Sequence, residues 1–125
     1  MTNAGTNISQ RSIVLLPFPF TDLSTDKKRP AFVASNTKFN NSGKDVICCL
    51  VTSNPDAKGV KIKNTDMESG LLKFESTIKP YRLFTADKSI IYKVIGKLKK
   101  DKSKAVVRKI NALIRIESIS QSSHF

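Results

Sequence analysis

"IVLLPFPFTDLSTDKKRPAFVAS", Ile13 to Ser35, is the stretch whose reading decides the fold. It holds two short apolar runs, Ile13–Phe18 and Ala31–Ser35. Each is too short for a helix and rich in branched residues, so each reads as a strand. Phe18 ends the first run, and Pro19, Phe20, the polar run Asp26-Lys27-Lys28-Arg29 and Pro30 lead to the second. A soluble protein rarely puts two aromatics and two prolines in such a short exposed connection without a reason. Pro30 biases Arg29 toward an extended backbone and fixes where the chain re-enters the sheet.

Working outward, Val46–Thr52, "VICCLVT", is nearly continuous in apolar residues and is expected to be a central strand. Asn40-Asn41-Ser42-Gly43 is expected to form the turn before it. Gly59–Lys63 alternates apolar and charged residues, as a half-exposed strand does. Glu68–Leu72 reads as a short helical turn or loop. Ser76–Thr85 is extended, with Pro80 marking an edge or a bulge. Ile90–Leu98 is open between strand and short helix. From Lys102 to about Ser118, Val106, Ile110, Leu113 and Ile114 share one helical face, and Asp101 or Ser103 is placed to cap the start. Many short strands with one closing helix predict a mainly β (α+β) domain. Its expected form is a small, strongly bent antiparallel sheet or half-open barrel with a C-terminal amphipathic helix.

The length of 125 residues favours one domain with one modest core. We expect it over residues 11–119, with a flexible arm at 1–10 and a flexible tail at 120–125. No apolar run approaches the ~18 residues of a membrane span. The N-terminus lacks the basic-then-apolar pattern of a secretion signal, so a cytoplasmic protein with no membrane association is expected. Cys48 and Cys49 are adjacent, and neighbours on a strand point to opposite faces, so they are poorly placed to bridge each other. The one histidine is His124. A metal site of Cys and His is therefore not expected, nor is two-histidine acid–base chemistry within one chain. No cofactor is expected either.

The formal net charge is +12. Such a chain attracts polyanions, with nucleic acid the default partner. The charge concentrates at Lys88, Lys93, Lys97, Lys99, Lys100, Lys102, Lys104, Arg108 and Lys109, against only Asp87 and Asp101 over the same stretch. If strands two and three form a hairpin centred near Asn41, Pro30 faces Thr52 and Arg29 lies beside Ser53. One guanidinium and two hydroxyls then gather at one end of the sheet. An arginine fork matches phosphate oxygens in pairs and keeps its proton, so it suits charge stabilisation at phosphorus. RNA brings its own nucleophile, the 2′-hydroxyl, and its cleavage needs positioning more than a strong protein nucleophile. Taken singly, Arg29 is more commonly a surface cation, Thr52 a β-branched strand end, and Phe18 and Phe20 core residues. On these grounds alone the chain is a basic β-rich domain suited to nucleic acid.

The three ordered blocks "IVLLPFPFTDLSTDKKRPAFVAS", "DVICCLVTSN" and "LFTADKSIIYKVIGKL" resemble the MazF/PemK family of bacterial toxins over roughly Ile13 to Leu113. The resemblance implies an SH3-like barrel that forms a homodimer. It implies the toxin of a type II toxin–antitoxin pair, a metal-independent, sequence-selective endoribonuclease that cuts single-stranded RNA, chiefly mRNA, through the 2′-hydroxyl. A cognate antitoxin protein is the implied partner. By the family's motifs, Arg29 and Thr52 are the expected catalytic residues. Phe20, Thr21, Lys27, Lys28, Ser53, Asn54, Lys79 and Tyr81 are the expected RNA contacts. Two departures stand out. Many members carry Gly-Asp or Gly-Glu where this chain has Arg11-Ser12. Some use an arginine and an acid where this chain has Lys79-Pro80-Tyr81. Two alternatives follow: a CcdB-like toxin that shares the fold and poisons gyrase by binding it, and a degenerate member that binds RNA or antitoxin without cutting.

Overall fold

The computed structural model describes residues 7–17 and 27–118. The strands are β1 (Ser12–Pro17), β2 (Lys28–Val33), β3 (Asp45–Thr52), β4 (Val60–Ile62), β5 (Met67–Gly70), β6 (Ser76–Asp87) and β7 (Lys93–Leu98). The helices are α1 (Thr37–Ser42) and α2 (Lys100–Ile114), with single 3₁₀ turns at Asn64–Asp66 and Lys88–Ile90. The strands form one seven-stranded sheet in the order β4-β6-β3-β2-β1-β7-β5. All its pairings are antiparallel.

The sheet is curled into a half-barrel. Val60 and Ile62 of one edge strand, and Met67 of the other, belong to a single core cluster with Ile13, Phe32, Cys49, Val51, Ile78 and Leu98. Edges at opposite ends of the strand order can share a core only if the sheet bends round to bring them together. The short link at residues 63–66 joins them directly. Val106 and Ile110 of α2 complete this core. Burying each contributes roughly 1.5–3 kcal/mol. The other face carries a second cluster of Val14, Leu16, Ala31, Val33, Val46, Cys48, Ala86 and Ile91. Alternation along β3 explains its continuous apolar run: Val46 and Cys48 serve one cluster, Cys49 and Val51 the other. The two thiols, on opposite faces, are free and buried. Burial pushes both up to about 12, with the neighbouring Cys49 adding to the shift at Cys48.

Several local expectations are corrected. The link between β2 and β3 is the helix α1, not a turn at Asn40–Gly43. Asn36 caps it by accepting from the Phe39 amide at 2.8 Å. Asn40, fully buried, donates its amide to the carbonyls of Ile8 at 3.0 Å and Ser35 at 3.1 Å. An asparagine that reads as a turn former is thus a structural clamp. It fastens the last residues of the expected N-terminal arm, where Ile8 is buried.

Glu68–Leu72 is not a helical turn, since Met67–Gly70 pairs with β7 as a strand. Gly70 (φ +75°) and Gly96 permit that pairing. A Cβ on Gly70 would stand 2.1 Å from the Ile95 carbonyl oxygen, and one on Gly96 2.5 Å from that of Ser69.

At α2, neither Asp101 nor Ser103 caps the start. The cap residue is Lys99, and the Ser103 hydroxyl donates back to its carbonyl at 2.9 Å. Asp101 lies in the first turn, where a carboxylate complements the helix dipole. Leu113 and Ile114 are exposed rather than packed, because the last turn runs past the core that holds Val106 and Ile110.

Arg11 occupies the left-handed region at φ +79°. Its amide donates to the Val33 carbonyl and its carbonyl accepts from the Leu98 amide, each at 2.9 Å. Its guanidinium reaches the Leu98 carbonyl at 2.7 Å and Glu68 Oε1 at 3.0 Å. A residue with a Cβ pays strain there, and these bonds hold it in place.

Candidate active site

Arg29 lies on β2, paired with Leu16 of β1. Thr52 ends β3, paired with Thr77 of β6. The observed β2–β3 register pairs Ala31 with Leu50, Phe32 with Cys49 and Val33 with Cys48. This is one residue away from the expected hairpin register, which set Pro30 against Thr52. The cause is α1, which replaces the symmetric turn that register assumed. Continuing the observed register two positions past Ala31 and Leu50 sets Arg29 opposite Thr52. Directly opposed residues share a face and lie about 4.5–5.5 Å apart at Cβ. The correction therefore tightens the convergence of the two groups.

Their face is the one carrying Ala31 and Val33, by the two-residue repeat of a strand. Lys79 joins them. It pairs with Leu50, two positions from Thr77, and is half-buried. The Thr52 hydroxyl oxygen accepts from the Asn54 amide at 3.2 Å, and Asn54 Oδ1 accepts from the Asp56 amide at 2.9 Å. These two bonds shape the turn that carries Ser53 and Asn54, both exposed. A hydroxyl that accepts in this way keeps its own proton as a donor.

Tyr81 stands in a bulge. The β3–β6 register passes from Leu50–Lys79 to Cys49–Leu83, which leaves Pro80, Tyr81 and Arg82 outside the ladder. Pro80 has no N–H to offer the ladder and is buried; Tyr81 and Arg82 are exposed. Lys27 and Lys28 are exposed at the entry to β2, and the Lys28 ammonium lies 5.2 Å from the centre of the Tyr92 ring. Phe20 and Thr21 lie outside the described residues, as does Phe18.

Sequence reasoning missed Thr77, buried against Thr52, and Lys61. Lys61 donates to the Pro55 carbonyl at 2.8 Å and, with Ser53, Asn54, Ser76 and Thr77, lines a cavity of about 220 Å³ beside the turn. The alternation of "GVKIK" marks Lys61 as outward-facing, but nothing local shows that β4 lies beside the end of β3 and β6.

Around Thr52 lie Lys79, Thr77 and the Ser53–Asn54 turn, with Arg29 added when the β2–β3 register is continued, and Glu75 lines the adjoining cavity. Such a set can hold a phosphodiester and stabilise added negative charge on it. Residues 9–114 match the family described as PemK-like, MazF-like toxin of type II toxin–antitoxin system. The chain belongs to this family. A chain of a MazE–MazF crystal structure from Deinococcus radiodurans superposes with a TM-score of 0.66 at 18% identity, over 89% of this chain and 98% of that one. Mycobacterium tuberculosis toxin MazF-mt6 gives 0.66 at 16% identity, over 86% and 100%. An endoribonuclease in complex with its cognate antitoxin, from a mycobacterial species, gives 0.64 at 14% identity, over 94% and 99%. A search of curated proteins found no match. At these identities the structural likeness establishes the MazF fold, and the family assignment rests on the match over residues 9–114.

Proposed function

We propose that this MazF/PemK-family toxin is a sequence-selective endoribonuclease that cleaves single-stranded RNA, chiefly mRNA, through the 2′-hydroxyl. The reading is supported by the β2–β3 register, which, continued two positions past Ala31 and Leu50, puts Arg29 across from Thr52. In the proposed reaction the ribose 2′-oxygen bonds to the adjacent phosphorus and the P–O5′ bond breaks. The 2′-proton passes to solvent and the departing O5′ takes one up, so protons and electrons balance. The products are a 2′,3′-cyclic phosphate and a 5′-hydroxyl. Arg29 forks the phosphate oxygens and stabilises the pentavalent phosphorane. Thr52 donates to a phosphate oxygen or orients the 2′-hydroxyl. Lys79 adds positive charge in the position where some relatives carry an arginine. The proposed route is metal-independent.

RNA contacts are assigned to Phe20, Thr21, Lys27, Lys28, Ser53, Asn54, Lys79 and Tyr81. The exposed Tyr81 ring offers a stacking surface for a splayed base. The acting form is a homodimer in the cytoplasm, restrained by a cognate antitoxin protein. Leu83, Tyr92, Val94, Leu113 and Ile114 are apolar and exposed in the monomer, as surface awaiting a partner is. One observation favours a second reading, that of a non-cutting member: Lys79-Pro80-Tyr81 supplies no carboxylate to act as base.

Induced expression followed by sequencing of RNA 5′ ends decides between them. The proposal expects new ends at a shared short motif with the wild type and none with Thr52→Ala. Tight RNA binding with no new ends would favour the non-cutting reading. Normal RNA with disturbed DNA supercoiling would point instead to a gyrase-binding toxin.

A further inference from the structure

The cavity of about 220 Å³ beside the Ser53–Asn54 turn contains a group that phosphate binding does not explain. Thr77, on its wall, pairs with Thr52 on one side and with Lys61 on the other. Directly paired residues share a face, and neighbouring strands lie about 4.8 Å apart. The cavity therefore adjoins the proposed active site on its β4 side. It is smaller than the ~300–1,000 Å³ clefts that take drug-sized ligands, which suits one flat ring system rather than a longer segment.

Two exposed and opposite charges, Lys61 and Glu75, line it. They are not joined to each other among the described ion pairs. Lys61 is held to the turn instead, donating to the carbonyls of Pro55 at 2.8 Å and Ala57 at 3.4 Å. An ammonium has three N–H donors, so one remains. Glu75 takes part in none of the described hydrogen bonds or ion pairs. A carboxylate beside a phosphate-binding surface opposes the binding of the RNA backbone. Its two oxygens can only accept, so its natural partner is a pair of donors on a base. Pro55 and the buried Ile62 offer apolar surface to the face of that base.

We infer that this cavity reads a guanine flanking the scissile phosphate, with Glu75 as the specificity-determining residue. Guanine alone among the four bases presents two neighbouring donors, N1–H and N2–H, which match the two carboxylate oxygens as a bidentate pair. Adenine and cytosine set a ring acceptor beside their amino group, and uracil sets a carbonyl on each side of its N3–H. Each of them turns an acceptor toward the carboxylate. Guanine O6 follows N1–H on the same edge, where the remaining N–H of Lys61 completes the set. Single-stranded RNA leaves this edge open to a protein. The inference rests on the proposed seating of single-stranded RNA at Arg29 and Thr52, and it names a base selected there.

The test uses a randomised pool of single-stranded 2′-fluoro RNA, which lacks the 2′-hydroxyl and so is not cut by the proposed route. Full-length wild type, Glu75→Gln and the control Glu117→Gln, which makes the same charge change at an exposed site elsewhere, each select from the pool, and the bound strands are sequenced. The expected result is guanine enriched at one fixed position of a short motif by wild type and control, and not by Glu75→Gln. Replacing that guanine with inosine, which lacks the N2 amino group, should weaken wild-type binding about tenfold, equivalent to about 1.4 kcal/mol, and leave Glu75→Gln little changed. This contrast is a ratio within one protein, so a general gain in affinity from removing a negative charge cancels. The inference is overturned by no guanine enrichment with the wild type, even if that protein cuts natural RNA. It is equally overturned by a guanine preference that survives in Glu75→Gln, by one lost to the same extent in Glu117→Gln, or by wild-type binding indifferent to inosine. Guanine selection by a wild type that leaves natural RNA uncut would support this inference and count against the cleavage reading.

Discussion

Arg29 and Thr52 belong to different strands, and it is the pairing of β2 with β3 that puts their strand ends at one end of the sheet. Their convergence was legible in the sequence because each sits at the open end of a strand in the same expected hairpin. The one-residue offset was not, because Asn40 reads as a turn former and is in fact buried, holding Ile8 and Ser35. If Arg29 works as a fork, Arg29→Ala should lower cleavage by about 10²–10³-fold. Arg29→Lys, which keeps charge but loses the fork, should fall between. Melting temperatures within a few degrees of wild type would show that these losses are chemical. A second residue-scale prediction concerns Arg11. At φ +79° a glycine is unstrained, as in the relatives that carry one there, whereas alanine keeps the strain and loses the guanidinium's bonds. Arg11→Gly should therefore be more stable than Arg11→Ala by about 1 kcal/mol in urea titration. The reverse order would show that strain at this position is negligible.

Among the elements, α2 and the β5–β7 pair show where sequence periodicity reaches its limit. Val106, Ile110, Leu113 and Ile114 share a helical face by spacing, yet only the first two reach the core. Periodicity reports which way a side chain points; it does not report where the sheet beneath it ends. Ile110→Ala should cost roughly 2–5 kcal/mol and Leu113→Ala, in the monomer, under about 0.5 kcal/mol. A larger cost at Leu113 that grows with protein concentration would locate it in a subunit interface. Glu68–Leu72 reads as a short helical turn or loop, yet Met67–Gly70 is a strand that includes Gly70. Here it and Gly96 are what allow two backbones to approach. Gly70→Ala should destabilise by at least about 1–3 kcal/mol from backbone strain alone and expose β5 amides to hydrogen exchange. Pro80, by contrast, announced its bulge correctly, because its missing N–H excludes it from a ladder whatever surrounds it.

At the scale of the whole molecule, charge governs pH and salt behaviour. A hydrogen bond from Arg11 holds the Glu68 carboxyl below its ordinary value of 4.5, and bonds from Ser89 hold that of Asp87 below 3.8. Their contributions are present above those values and are lost as pH falls through the lowered ones. The buried thiols act at the other end. Their pKa rises from 9.0 to about 12, so above pH 9 the unfolded chain releases protons that the folded chain keeps, and stability falls. Native Cys48 and Cys49 should resist alkylation at neutral pH and react once the chain is denatured. RNA affinity should fall with salt, by about 0.7 log units per phosphate contact for each tenfold increase. The basic half-barrel was readable from composition and short strands. Its closure was not, because the contacts that bring β4 and β5 into one core lie between strands at opposite ends of the sheet order. The most direct test of the central claim is incubation of long single-stranded RNA with purified wild type, Arg29→Ala and Thr52→Ala in EDTA. The account predicts cleavage by the wild type alone, leaving 2′,3′-cyclic phosphate and 5′-hydroxyl ends. RNA left intact by the wild type, or cut equally by all three proteins, would contradict it.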